Sequence, residues 1–161
     1  MAKLERKALS HWLDSSWGGQ TVAWYKLGVD LEELTIELNP DVETVKNILG
    51  ETSVRDKGYE PSTTVDPYYA NPSDAIYEDI REIAMDRKVG DACKTKMLEV
   101  IIEDTTDTAH LAYTEDVIVK PTSYGGGTDG VMIPFNLHPC GNRVKGTVAF
   151  ANGVPTFTEA T

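Results

Sequence analysis

The stretch MLEVIIEDTTDTAHLAYTEDVIVK, residues 97–120, decides the fold class. Leu98, Val100 and Ile102 alternate with Glu99, Ile101 and Glu103. A period of two belongs to a strand that turns aliphatics to one face and carboxylates to the other. A second strand is expected at 109–120. Residues 97–119 hold Glu99, Glu103, Asp104, Asp107, Glu115 and Asp116 with no Lys or Arg. Residues 27–45 repeat the pattern with Asp30, Glu32, Glu33, Glu37, Asp41 and Glu43, again without a base. There Leu34, Ile36 and Leu38 alternate with Glu33, Thr35 and Glu37, which predicts an acidic strand over 31–39. Twelve of the 26 acids and none of the 15 bases lie in the two stretches, so the sheet is expected to carry a negative outer face that repels a polyanion.

Working outward, the chain after residue 94 reads as strands only: roughly 95–103, 109–120, 131–138, 143–151 and 154–158. The last two are joined by Asn152-Gly153, a strong hairpin signal. Val131, Ile133, Phe135 and Leu137 form one expected buried row. Val144, Val148 and Phe150 form another, opposite Arg143, Lys145 and Thr147. Upstream lies one clear helix, about 72–89. Asn71-Pro72-Ser73-Asp74 supplies its start, Ile76, Tyr77, Ile80, Ile83 and Ala84 its stripe, and Gly90 its left-handed stop. A single apolar stripe requires a sheet to lie on.

The remaining segments are less regular. Leu4, Ala8, Leu9, Trp12 and Leu13 fit a short helical stripe, although the segment also suits an extended arm that orders against a neighbour. Val22 to Leu27 reads as a strand turned at Gly28, and Thr63 to Tyr68 as another. Residues 39–67 carry no clean period, and a connection of that length is usually functional or mobile.

Composition narrows the function classes. A chain of 161 residues fits one domain, and a net charge of −11 with pI near 4.6 argues against tight phosphate-backbone binding. Met1 to Lys7 lacks the apolar core of a secretory signal, and no apolar run suits a membrane anchor. Cys93 and Cys140 are expected as free thiols of a protein made in the cytoplasm. Gly125-Gly126-Gly127 precedes a strand and has no Lys nearby, so it is a connection and not a phosphate loop. His138 and Cys140, with Cys93 and His110, match no zinc spacing, and no cofactor or metal is expected. Adjacent carboxylates such as Glu32-Glu33 and Glu115-Asp116 point to opposite faces of a strand and make poor catalytic dyads. Trp12, Trp17 and Trp24 suit a binding patch, a core or an interface equally.

Three blocks carry a family resemblance. The first runs from Asn39-Pro40-Asp41-Val42-Glu43 through Lys46-Asn47-Ile48-Leu49-Gly50-Glu51-Thr52-Ser53 to Gly58-Tyr59-Glu60-Pro61 and Val65-Asp66-Pro67-Tyr68-Tyr69. The second spans the capped helix, Gly90-Asp91 and the strand beyond. The third is Ser123-Tyr124-Gly125-Gly126, Ile133-Pro134-Phe135 and Gly141-Asn142-Arg143-Val144-Lys145-Gly146-Thr147. In this order, over roughly residues 30–148, the chain resembles the tail tube proteins of tailed bacteriophages and phage-tail-like particles.

The resemblance implies an α+β, mainly β fold: an antiparallel β-sandwich or partly open barrel with one flanking helix. It implies a structural subunit, not an enzyme, which forms hexameric rings stacked into a hollow tube through which DNA passes without tight binding. Its partners would be further copies of itself, tape-measure, terminator and baseplate or tip proteins, and in some tails a sheath. Its place would be the virion tail, assembled in the host bacterial cytoplasm. The single domain 1–161 would comprise an N-terminal arm at 1–20, a long inter-ring loop at 39–60 and a C-terminal hairpin or arm at 150–161. Glu33, Glu37, Glu99 and Glu103 are the candidate lumen-facing residues, with Arg143 and Lys145 turned away. Asn47, Leu49, Glu51, Arg55, Lys57 and Tyr59 are the candidate inter-ring contacts. The alternatives are a small monomeric β-barrel binding module and a cysteine- or metal-dependent enzyme.

Overall fold

In the computed structural model, residues 3–29 and 31–160 are described; Asp30 of the first acidic stretch, and Met1, Ala2 and Thr161 of the two expected arms, lie outside the described residues. The framework is an antiparallel sheet with strand order β10-β9-β7-β6-β1-β2. Its strands are β1 (Leu9–Asp14), β2 (Trp24–Lys26), β6 (Lys94–Ile101), β7 (His110–Pro121), β9 (Val144–Ala151) and β10 (Val154–Glu159). The twelve-residue β7 serves two partners along one edge. His110 to Thr114 pair with β9, and Val117 to Pro121 pair with β8 (Phe135–Pro139), which in turn holds β5 (Thr63–Val65). The sheet therefore forks at β7 and curls into a half-barrel. The expected strands after residue 94 and the mainly β class with one helix are observed. Asn152 and Gly153 both have positive φ, 53° and 79°, the two-residue turn geometry that their types favour.

Both faces of the sheet are covered at its centre. On one, Leu13, Met97, Val117, Val119, Phe135 and Leu137 pack under Ile80 of α1 (Tyr77–Asp86) and Ile76 just before it. On the other, Trp12, Leu98, Val100, Ala112 and Val148 pack beneath Trp24, Phe150 and Phe157. Burying one such aliphatic side chain contributes roughly 1.5–3 kcal/mol. Because the sheet curls, Trp12 of β1 reaches Phe150 of β9 with ring centroids 6.0 Å apart.

Several sequence expectations are corrected. The helical stripe at 4–13 is instead a 3₁₀ turn at Arg6–Ala8 followed by β1. This strand is hydrogen-bonded to β2 on one side and β6 on the other, so long-range pairing overrides a short local period. Part of the expected arm 1–20 is thus built into the sheet centre, with Leu13 fully buried. The acidic strand 31–39 does not form. Only Glu37 makes an isolated bridge, to Ser62, and of the three aliphatics Leu34 alone is buried. Side chains take the carbonyls that a strand neighbour would otherwise use: Arg6 donates to Leu34 O at 2.9 Å and Thr63 to Thr35 O at 2.6 Å.

The long loop 39–60 is a separate two-stranded hairpin, β3 (Pro40–Lys46) with β4 (Thr52–Tyr59). Its residues face solvent, so neither face imposes an apolar alternation that reading could detect. The regular helix begins at Tyr77. Residues 72–76 are turns, with Asn71 Oδ1 accepting the Ser73 N–H at 3.0 Å. The helix ends at Arg87, whose backbone is left-handed (φ 54°), three residues before Gly90. Strand 63–68 stops at Val65, and strand 131–138 begins only at Phe135, leaving Val131 exposed.

Candidate functional site

Two surfaces stand out, the free hairpin and a groove at its base. The hairpin register pairs Val42 with Asp56, Glu43 with Arg55, Thr44 with Val54 and Lys46 with Thr52. Alternation then gives two different faces. One carries Val42, Thr44, Thr52 and Val54; the other carries Glu43, Val45, Ser53 and Arg55. Lys57 Nζ lies 3.2 Å from the Glu43 carboxylate. At the tip, Asn47 Oδ1 accepts the N–H groups of Leu49 and Glu51, both at 2.9 Å, and Asn47 N–H donates to Glu51 O. This fixed turn holds Ile48 and Leu49 out into solvent, Leu49 at 76 % exposure. Tyr59, also exposed, sits at the base, where Asn39 Nδ2 donates to Glu60 O. Of the six expected inter-ring residues, Asn47, Leu49 and Glu51 are thus gathered at the tip, while Arg55, Lys57 and Tyr59 lie along β4. Ile48, the more exposed neighbour of Leu49, was missed because a lone apolar residue in an aperiodic segment carries no signal.

The groove, of about 1180 Å³, lies between residues 31–39 and the part of the sheet that α1 does not cover. Its polar floor is a cluster centred on Arg143, which donates to Glu99 at 2.9 Å and to Glu115 at 3.2 Å and lies 4.4 Å above the Tyr113 ring. Burial pulls the Arg143 guanidinium down, and the hydrogen bonds and charges of Glu99 and Glu115 more than reverse it. Glu115 also accepts the Gly141 N–H. His11 Nδ1 lies 3.7 Å from Glu99, and neither ring nitrogen has a hydrogen-bond partner among the described residues. Burial lowers the His11 pKa, against an upward pull from Glu99, and so favours the neutral ring.

These contacts correct one expectation: Arg143 shares the face of Glu99 and does not turn away from it. The four acids therefore separate. Glu99 is mostly buried and ion-paired, whereas Glu33, Glu37 and Glu103 are exposed with no basic partner among the described residues. The sequence missed this cluster because pairing β1, β6, β7 and the approach to β9 brings together residues separated by as many as 132 positions.

The thiols and histidines considered as metal ligands are dispersed. Cys93 is buried, with its thiol 3.2 Å from Lys88 O, and Cys140 is exposed on the groove wall. Among the described residues no group of three or more His, Cys, Asp or Glu could hold a metal ion, and no helix is long and apolar enough to cross a membrane.

The antiparallel half-barrel with one flanking helix is a fold also found in a phage tail tube. In particular, the chain is similar to the SPP1 tail tube protein, solved as a hybrid of solid-state NMR and cryo-electron microscopy, with a TM-score of 0.61 and 13 % identity. The likeness covers 94 % of this chain and 82 % of that one. No family model and no curated protein sequence matches.

Proposed function

We propose that this chain is a structural subunit of a phage tail tube, forming hexameric rings that stack into a conduit for DNA. The observation that carries the reading is the freestanding hairpin. A two-stranded hairpin exposed on all sides is marginal in water, and edge strands left open invite pairing. Here the hairpin ends in two exposed aliphatics, and β2 and β10 both end the sheet with no strand beyond them among the described residues. A monomeric module would hide these surfaces; a subunit of an assembly covers them with its neighbours.

In this reading Asn47, Leu49, Glu51, Arg55, Lys57 and Tyr59 make contacts between rings, together with Ile48. Glu33, Glu37 and Glu103 supply a wall that repels phosphate, with Glu99 contributing as a partner of Arg143. Tape-measure, terminator, baseplate or tip proteins, and a sheath in a contractile tail, would meet the assembled tube in the virion tail.

Negative-stain microscopy of the purified protein across a concentration series tests the assembly. Rings or tubes are expected from wild type. The double variant Ile48→Asp/Leu49→Asp should remain a folded subunit by circular dichroism and gel filtration, yet form no tubes. Wild type that stays monomeric at every concentration would overturn the reading.

A further inference from the structure

We infer that the groove between residues 31–39 and the sheet receives the hairpin tip of a second copy of this chain, in a head-to-tail contact. The inference rests on the tail-tube reading and adds to it the surface that the tip meets.

Groove and tip are complementary in two respects. First, Leu9 and Leu38 on the groove wall expose 36 % and 53 % of their surface beside the half-buried Ile36, and the tip offers Ile48 and Leu49. Apolar area left open on both sides is removed from water when they meet. Second, Arg6 at the rim donates to the carbonyls of Leu9 and Leu34 and has no carboxylate partner among the described residues. Glu51 at the tip has only the Asn47 amide, at 3.3 Å, so the Arg6 guanidinium and the Glu51 carboxylate are each free to pair with the other. The tip is already ordered by the Asn47 side chain, which lowers the entropy lost on docking.

A subunit cannot fill its own groove. Asn39 and Tyr59 on the groove rim are the base of the same hairpin. Seven residues of β3, at about 3.4 Å each, carry the tip roughly 20 Å or more away. The donor and receptor surfaces therefore differ, and a contact between unlike surfaces propagates into closed rings or an open helical stack instead of ending at a dimer.

Cys140 provides a native reporter, being an exposed free thiol on the groove wall, whereas Cys93 is buried. The full-length Leu49→Cys variant is assembled under reducing conditions, checked for tubes by microscopy, then oxidised or treated with a short bis-maleimide and run on a denaturing gel. Ile48→Cys is run in parallel as a second thiol position. The expected result is a ladder of dimers, trimers and higher species that disappears when Cys140→Ser is added. Dimers that persist in the Cys140→Ser background would mean that tips meet tips and would overturn the inference. Tubes without cross-links from either variant would overturn the groove as receptor while leaving the tube reading intact. Absence of tubes from wild type as well would overturn the reading beneath it.

Discussion

Arg143 is the residue on which the polar end of the sheet turns. It bridges Glu99 and Glu115, whose side chains retain only 12 % and 5 % exposure. Removing it leaves two carboxylates facing each other with little water. Breaking a buried pair costs about 3–5 kcal/mol, but Arg143 is 40 % exposed and solvent screens part of that. Arg143→Ala is therefore expected to lower unfolding stability by about 1–3 kcal/mol in urea denaturation at neutral pH. His11 makes a different prediction. Its folded pKa lies below the ordinary value of about 6.5, so below that pH the unfolded chain takes up a proton that the folded chain refuses. Stability contributed above pH 6.5 is lost as pH falls toward the folded pKa, by at most about 1.4 kcal/mol per pH unit. His11→Leu should flatten the stability–pH curve over that window. None of this was legible beforehand: Glu99 and Arg143 could each be assigned parity within its own strand, but parity on one strand says nothing about the face of another until the register is known.

At the scale of elements, the C-terminal hairpin shows how close the backbones pack. Gly146 of β9 pairs with Glu159 of β10, and a Cβ there would collide with the Thr158 carbonyl and come within 2.6 Å of the Phe157 ring. Gly146→Ala should therefore open the β9–β10 pair and cost about 1–3 kcal/mol, read as a lowered denaturation midpoint. The strands after residue 94 and the Asn152-Gly153 turn were legible because burial imposes alternation and the turn needs two positive φ angles. The hairpin β3–β4 was not, because an element whose two faces both meet solvent has no inner face to impose an apolar alternation. Helix α1 was legible by its stripe, but its ends were not. The Asn71 side chain closes a turn well before Tyr77, and Arg87 stops the helix where the chain must turn back toward Val89 and the 3₁₀ turn at Gly90–Cys93.

For the whole molecule, the proposed conduit makes a charge prediction. Reversing Glu103 to Lys should leave tube assembly intact under the microscope, since Glu103 is exposed, lies off the groove wall and has no ion pair among the described residues, yet slow DNA passage in an ejection assay. Ejection at the wild-type rate would remove Glu103 from the wall. The sequence by itself determined the mainly β class, the single flanking helix, the last hairpin and the separation of acid from base, because each follows from a local period, a turn type or composition. The tertiary structure alone decided that β1 is a core strand, that residues 31–39 are no strand at all, and that Glu99 is held by Arg143. Those outcomes depend on which edges pair and which carbonyls already have donors. Both are set by contacts between residues far apart in the chain, and no window of local sequence contains them.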